Sequence, residues 1–331
     1  MKNRSILMIV FTVFLGMNAF NTHAQKIGFL IDSYVMDRWY LDHKLFEDKV
    51  IKLGGECRVE VPYGDPVEQV RIGKKMIDEG IDVLVLVPID AEKAAEIVTY
   101  AKSKNVPVIS YERLAFSPDI SVYIGYNAEK VGQMEAEYLV KKFPEGNYVL
   151  VNGPSSDNNA ILLRKGQMAV LQPYIKSGKI KLAGDLVLNE WSEIEALMKV
   201  EELFSKTGIK PNAIIAGNDA IANGAIQVLP QDLIGKVGVA GQDADLTAIK
   251  NIISGAQSMT IYKPIRALAE LAAETAMVLA KGNPVKGIRK FTSGNLVVDA
   301  ILLDPVSVDK DNIKDTVVKD GHVTQSQVYG K

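Results

Sequence analysis

The run Val237-Gly-Val-Ala-Gly-Gln-Asp-Ala-Asp245 passes within a few residues from an apolar strand to a cluster of polar side chains. The strand ends at Gly241, and an amphipathic segment from Leu246 to Ser254 follows the acidic residues. This order predicts a buried parallel strand whose C-terminal end faces a ligand, as in open α/β sheets. Asp245 is well placed to cap the next helix, which leaves Asp243 without an obvious structural role.

The same alternation of apolar strands and amphipathic helices recurs along most of the chain. Strands are predicted at 26–31, 57–61, 83–87, 106–110, 122–125, 148–151, 180–185, 213–217, 237–241 and 257–261. Helices are predicted at 39–53, 66–79, 91–104, 127–142, 159–174, 190–205, 219–229, 246–254 and 264–281. Apolar strands between helices indicate parallel sheets that are covered on both faces. Because one sheet of ten or more strands is disfavoured, we expect an α/β fold with two doubly wound parallel-sheet lobes joined by a three-strand hinge.

Breaks in this alternation predict where the chain crosses between the lobes. Residues 110–121 show no helical period, so we place the first crossing there, with two more near 261–264 and 293–296. The expected N-terminal lobe comprises 25–126 plus 264–294, and the expected C-terminal lobe comprises 127–263 plus 295–331. From about Asp304 the sequence is polar and irregular, which we interpret as a solvated surface. Its acidic residues lack the Gly and the terminal Glu of an EF-hand calcium loop.

The first 24 residues are predicted to be a secretory signal peptide. Lys2 and Arg4 precede a short apolar run, and Ala24 ends a small-residue cleavage site. We therefore expect an exported, periplasmic protein. Cys57 is the single cysteine, which excludes an intrachain disulfide and a cysteine-rich metal site. The formal net charge of −2 gives no indication of a nucleic-acid partner, and with export it favours a monomer.

Polar and aromatic side chains gather at seven predicted strand ends. These ends carry Asp37-Arg38-Trp39, Tyr111-Glu112-Arg113, Gly153 to Asn159, Asn189-Glu190-Trp191, Asn218-Asp219, Asp243 and Lys263. Taken singly, each acid or amide is more often a helix cap, each base a solvated side chain and each tryptophan a core residue. Taken together they fit a small sugar, because carboxylates accept from hydroxyls, cations donate to them, and indoles pack on the C–H faces.

Several kinds of chemistry have no support in the sequence. There is no G-x-G-x-x-G after the first strand and no phosphate-binding G-x-x-x-x-G-K-[ST] motif, so we expect no nucleotide cofactor. The chain holds three histidines, one of them within the predicted signal peptide, which disfavours histidine-based catalysis. Glycoside hydrolysis by a pair among Glu112, Asp157 and Asp243 stays open as an alternative. The cations at the neighbouring strand ends should hold these carboxylates ionised and so disfavour a protonated general acid.

These residues also carry a family resemblance that covers essentially all of the chain after residue 24. The chain resembles periplasmic sugar-binding proteins of ABC importers, in the ribose/galactose-binding type. The matching segments are Arg38-Trp39, Tyr111-Glu112-Arg113, Glu129-Lys-Val-Gly132, Asp157-Asn-Asn-Ala160, Gly166-Gln-Met168, Trp191, Asn218-Asp-Ala220, Gly241-Gln-Asp-Ala-Asp245 and Tyr262-Lys-Pro264. The Gly-Gln-Asp-Ala-Asp-Leu run with its downstream Tyr-Lys-Pro is the most specific of them.

The resemblance implies a type I periplasmic binding protein that closes two lobes over one monosaccharide and performs no covalent chemistry. D-xylose is the expected sugar among pentoses and hexoses, and an ABC permease is the expected partner. A membrane receptor or kinase that senses the bound sugar is the alternative partner. The implied ligand contacts are Arg38, Trp39, Arg113, Asp157, Asn159, Trp191, Asn218, Asp243 and Lys263. One departure is Glu112, since relatives commonly have Asp before this arginine, and the longer carboxylate is expected to reshape the pocket or support Arg113.

Overall fold

Residues 24–330 are described by the computed structural model of this chain. The predicted signal peptide therefore lies, except for Ala24, outside the described residues. The described chain forms two sheets, in agreement with the predicted pair of α/β lobes. No helix among the described residues is long and apolar enough to cross a membrane.

The first sheet has seven strands and holds both early and late parts of the chain. Its strands are β1 (Lys26–Leu30), β2 (Glu56–Glu60), β3 (Val83–Leu86), β4 (Val108–Glu112), β5 (Val122–Tyr126), β11 (Arg289–Ser293) and β12 (Leu296–Leu303), in the order β11-β12-β5-β4-β3-β1-β2. Its helices are α1 (Asp37–Lys52), α2 (Pro66–Asp78), α3 (Ala91–Ser103) and α9 (Ile265–Ala280). Strand side chains alternate between the two faces, so that Val83 and Val85 pack with α1 and α9, while Leu84 and Leu86 pack with α2 and α3.

The second sheet has six strands and draws its core from the middle of the chain. Its strands are β6 (Gly146–Asn152), β7 (Ile180–Val187), β8 (Ala213–Ala216), β9 (Gly238–Gln242), β10 (Met259–Tyr262) and β13 (Val306–Val308), in the order β13-β10-β9-β8-β6-β7. Its helices are α4 (Ala128–Lys142), α5 (Asn158–Lys176), α6 (Glu193–Thr207), α7 (Asp219–Gln227), α8 (Leu246–Ser254) and α10 (Gln325–Tyr329). The predicted strand and helix positions are confirmed to within a few residues up to α9.

The third crossing lies later than the sequence predicted. β12 pairs in parallel with β5, with Ala300 opposite Tyr123, so 296–303 belongs to the first sheet. The assignment of 295–303 to the C-terminal lobe was wrong, because the hairpin partner β11 and the buried Val298 and Ala300 tie this segment to the first core. The crossing falls between β12 and β13. We propose lobe boundaries at 126–128, 262–265 and 303–306.

The segment after Asp304 is more ordered than expected. It adds β13, a π-helical turn at Lys314–Val318 and α10, and its apolar residues form a core cluster with α8. Val317, Val323 and Val328 are buried there. A purely solvated tail was therefore a wrong expectation, because widely spaced valines between polar residues bury one face without producing a helical or strand period.

Helices α4 and α5 approach closely through two glycines. A Cβ atom at Gly166 would lie 1.9 Å from the carbonyl oxygen of Glu129, and one at Gly132 would lie 2.1 Å from that of Leu163. Real Cβ atoms do not approach backbone this closely, so the two helices would have to separate. Close packing of α4 on α5 in turn positions the N-terminus of α5, which carries residues of the site described below.

We expect Gly166→Ala to lower the free energy of unfolding by about 1–3 kcal/mol, because a methyl group at this position overpacks the α4–α5 contact. Denaturant unfolding followed by circular dichroism measures this change. Glu137→Ala on the exposed face of α4 is the control and should change stability by less than about 0.5 kcal/mol. Equal stability of Gly166→Ala and the control would show that the helices can separate without cost.

Candidate functional site

A cavity lies between the lobes, where strand ends of both sheets face one another. It is lined by Met36, Arg38, Trp39, Glu112, Arg113, Asp157, Asn159, Trp191, Asn218, Gln242, Asp243 and Lys263. All nine residues of the predicted ligand set lie on this one cavity. Glu112, which the sequence analysis expected to reshape the pocket or support Arg113, also lines it. Met36 and Gln242 were not predicted, although each is within two residues of a predicted contact, and this adjacency was the signal that could have found them.

The centre of the site is a pair of buried carboxylates that two cations from different elements join. Asp243, after β9, lies 3.0 Å from the Nη1 atom of Arg38 and 3.0 Å from the Nζ atom of Lys263. Glu112, at the end of β4, accepts hydrogen bonds from Lys263 at 2.9 Å and from Arg38 at 3.4 Å. Each cation therefore contacts carboxylates of both lobes. Asp243, which had no structural role in the sequence analysis, is a link between the lobes.

A second set of contacts joins the lobes through Arg113. Its guanidinium lies 2.9 Å from Asp32 within the first lobe and 3.0 Å from Asp157 in the second. Asp157 also caps α5 by accepting from the backbone N–H of Asn159 at 2.9 Å, and it accepts from the indole N–H of Trp191 at 3.0 Å. Asp157 therefore caps α5 and also lines the cavity, because its two oxygens serve different partners.

The two tryptophans are placed differently. Trp39 is 1% exposed and belongs to the core of the first lobe, with the guanidinium carbons of Arg38 and Arg113 at 4.6 and 5.2 Å from its ring. Its main contribution to the cavity is therefore to hold the guanidinium groups of Arg38 and Arg113 through cation–π contacts. Trp191 is half-buried and lies over Gly153, where a Cβ atom would come within 2.6 Å of the indole. A glycine is thus required beneath this ring.

Backbone strain is concentrated at the site. Glu112 has a φ of 61°, Asp243 of 97° and Ala244 of 58°, in a region that residues with a Cβ atom rarely adopt. Such conformations cost about 1–3 kcal/mol each and persist where surrounding contacts enforce them. The hydroxyl of Tyr123 donates to the carbonyl of Glu112 at 2.9 Å, and the N–H of Asp243 donates to the carbonyl of Ile261 at 2.8 Å. Both strained residues are therefore held by buried hydrogen bonds.

Burial and charge act in opposite directions on the acids of the site. Burial opposes ionisation of Glu112, but Lys263, Arg38 and Arg113 outweigh it and lower its pKa to about 2. For Asp157 burial outweighs the attraction of Arg113, and the pKa is raised above its ordinary value. The expectation that cations keep the carboxylates ionised is thus supported for Glu112, whereas for Asp157 the direction of the shift is opposite. Asp157 differs because a single cation, rather than three, offsets its desolvation.

Three buried polar atoms of cavity-lining residues have no hydrogen-bond partner among the described residues. They are the Nη2 donor of Arg38, the Nε1 donor of Trp39 and the Oδ1 acceptor of Asn159. Buried polar groups without partners are costly, so a bound molecule with hydroxyl groups would satisfy donors and an acceptor here. Within residues 24–330, no group of three or more His, Cys, Asp or Glu side chains is arranged to hold a metal ion.

Comparison with known proteins gives likenesses over nearly the whole chain. Residues 27–284 match the family described as periplasmic binding protein domain. The D-xylose-binding periplasmic proteins of Haemophilus influenzae and Escherichia coli are 41% and 42% identical to this chain, over 99% of it and 100% of each relative. An ABC transporter solute binding protein from Clostridium phytofermentans with bound β-D-glucose has a TM-score of 0.84 at 28% identity, over 92% of this chain and 100% of that chain.

We expect Glu112→Gln to reduce the acid sensitivity of the protein. The folded-state pKa of about 2 lies below the ordinary 4.5, so ionised Glu112 stabilises the fold above about pH 4.5, and this contribution is lost as the pH falls through 2. The shift corresponds to about 3 kcal/mol. The stability difference between wild type and variant should therefore shrink between about pH 4.5 and pH 2.

Urea unfolding at a series of pH values measures this difference, with exposed Glu201→Gln on α6 as the control. The control should follow the wild-type curve to within about 0.5 kcal/mol. A Glu112→Gln curve that runs parallel to wild type through the acid range would contradict the assignment of an ionised Glu112.

Proposed function

We propose that this chain, which belongs to the periplasmic binding protein domain family, captures D-xylose between its two lobes and delivers it to an ABC permease. Two relatives with more than 40% identity over their full length are D-xylose-binding periplasmic proteins. A likeness to a solute binding protein with bound β-D-glucose supports a monosaccharide as the ligand class. We infer a periplasmic, monomeric protein that is exported by its predicted signal peptide.

The observation that carries this proposal is the hydrogen-bonding character of the interlobe cavity. Arg38 and Trp39 each offer a donor and Asn159 an acceptor that no described residue satisfies, and the charged groups around them can also exchange partners with hydroxyls. Each hydroxyl of a sugar donates one hydrogen bond and accepts up to two. A molecule dense in hydroxyl groups is therefore the neutral ligand that best matches such a cavity.

The energetics of binding are compatible with a small ligand. A micromolar Kd corresponds to about −8 kcal/mol. Over roughly ten heavy atoms of a pentose this is about −0.8 kcal/mol per atom, which is below the ceiling for very small ligands. Tight binding of a pentose is thus energetically reasonable.

Closure of the lobes provides the mechanism. The polar contacts of the site join Arg38, Glu112 and Arg113 of the first lobe to Asp157, Asn159 and Asp243 of the second. A sugar that hydrogen-bonds to both sets stabilises the closed arrangement over an open one, because the open one loses the contacts to one lobe. Closure presents a defined surface to the permease. We propose no covalent chemistry, since the relatives that are 41% and 42% identical to this chain are binding proteins.

We expect Asp243→Asn to raise the Kd for D-xylose by about 10- to 150-fold, because it removes a charged acceptor worth about 1.5–3 kcal/mol. Isothermal titration calorimetry of wild type and variant with D-xylose, ribose, arabinose, glucose and galactose measures affinity and selectivity. Asp185→Asn is the matched control, since Asp185 pairs with Arg164 at an exposed position away from the cavity. Absence of a binding heat with every sugar in the wild type would refute the proposed function.

We expect D-xylose to change the tryptophan fluorescence of the wild type, and Trp191→Phe to remove most of that change. Trp191 is half-buried and lines the cavity, while Trp39 is enclosed in the first lobe beneath two guanidinium groups. A fluorescence titration measures both responses, with Trp39 as the internal reference. An undiminished signal in Trp191→Phe would place the responding indole at Trp39 instead.

A further inference from the structure

The strained turn that delivers Asp243 into the cavity is held from outside the cavity. Asp243 and Ala244 have positive φ angles, and the N–H groups of the turn donate to fixed acceptors. Ala244 N–H donates to the Oγ1 atom of Thr260 at 3.2 Å, and Asp245 N–H donates to the Oδ2 atom of Asp219 at 3.0 Å. Asp219 is itself buried and accepts from Thr260 at 2.9 Å. The donors of the turn are thus fixed by α7 and β10.

The carbonyl of the same turn is fixed by the segment after β13. The Nε2 atom of His322 lies 3.0 Å from the carbonyl oxygen of Ala244. Because a carbonyl can only accept, Nε2 must carry the hydrogen. Burial of the ring lowers the pKa of His322, so the neutral Nε2–H tautomer provides this bond at neutral pH. The bond spans the junction between the last segment of the chain and a residue adjacent to Asp243.

The same segment also contacts the other strand end of the site. The ring of His322 lies 4.8 Å from the ring of Tyr262, and the Tyr262 hydroxyl donates to Asp320. Tyr262 directly precedes Lys263, whose Nζ atom pairs with Asp243 at 3.0 Å. One segment therefore touches the residues adjacent to both partners of a central ion pair. Val317, Val323 and Val328 anchor this segment in a core cluster with Ala244 and Tyr262.

We propose that His322 is a positioning residue of the sugar site, which holds the Asp243–Ala244 turn in its left-handed conformation and so sets the placement of the Asp243 carboxylate. This inference rests on the proposed function. His322 does not line the cavity, so its effect on binding acts through the turn rather than through contact with the sugar. The last segment of the described chain thereby becomes part of the binding machinery.

The test compares His322→Phe with His322→Gln by calorimetry with D-xylose. Phe keeps a ring against Tyr262 but removes the donor, and we expect it to raise the Kd by about 3- to 10-fold, as the loss of one neutral hydrogen bond implies. Gln can place its amide N–H near the position of Nε2 and should restore the affinity to within about twofold of wild type. Lys319→Gln, at an exposed position of the same segment, is the control.

A second measurement uses the unmodified protein. The ring protons of His322 should shift in the NMR spectrum on addition of D-xylose, because closure over the sugar acts on the Asp243 turn. In the protein cut after Ala24 the histidines are His43 and His322, so the His43→Gln variant assigns the signal. This experiment decides the question even if His322→Phe does not fold.

The outcomes separate the two proposals. Binding of D-xylose by wild type with an unchanged Kd in His322→Phe, or with a His322 signal that does not move, would overturn the role of His322 and leave the proposed function intact. Loss of affinity in His322→Phe that Gln does not restore would also overturn it, because a role limited to packing would then explain the effect. A wild type that binds none of the five sugars would overturn both.

Discussion

Four buried charges connect the two lobes: Arg38 and Lys263 alternate with Glu112 and Asp243. Each of the four is less than a tenth exposed, so removing any one leaves its two partners desolvated and each with one counter-charge fewer. Burial of ions is costly, and apolar residues of similar size would stabilise the contact at least as well. The arrangement is therefore better explained by ligand recognition than by stability, because the same groups can form hydrogen bonds to a molecule that enters between them.

The fold was largely predictable because strand and helix periods are strong in this chain. The apolar run Val83 to Val87 and the helices between such runs predicted the parallel sheets without any tertiary information. The late strands β11, β12 and β13 were missed, since they are half-exposed and alternate irregularly. Pairing of β12 with β5 depends on contacts across most of the sequence, which local patterns cannot reveal.

The sequence predicted most of the residues that line the cavity, but not the interactions that these residues make with one another. The carboxyl ends of parallel strands meet at one edge of a sheet, so polar residues at Asn218 and Asp243 had to lie near one another. The role of Trp39 was harder to foresee, because a tryptophan on the first turn of a helix can face either the core or a ligand, and here it supports two arginines. The opposite pKa shifts of Glu112 and Asp157 follow from the number of cations near each, which is a property of the folded state alone.

The pairing of β12 with β5 implies an order of assembly during synthesis. The five parallel strands of the second sheet lie in one uninterrupted run from Gly146 to Tyr262, so that lobe gains most of its core before the last part of the chain is made. The first sheet places β12 between β5 and β11 and must wait for residues near Ala300 to find Tyr123. Such non-local pairing closes a long loop and is slow. The lobe that begins the chain thus cannot complete its sheet until the five parallel strands of the second lobe have been made.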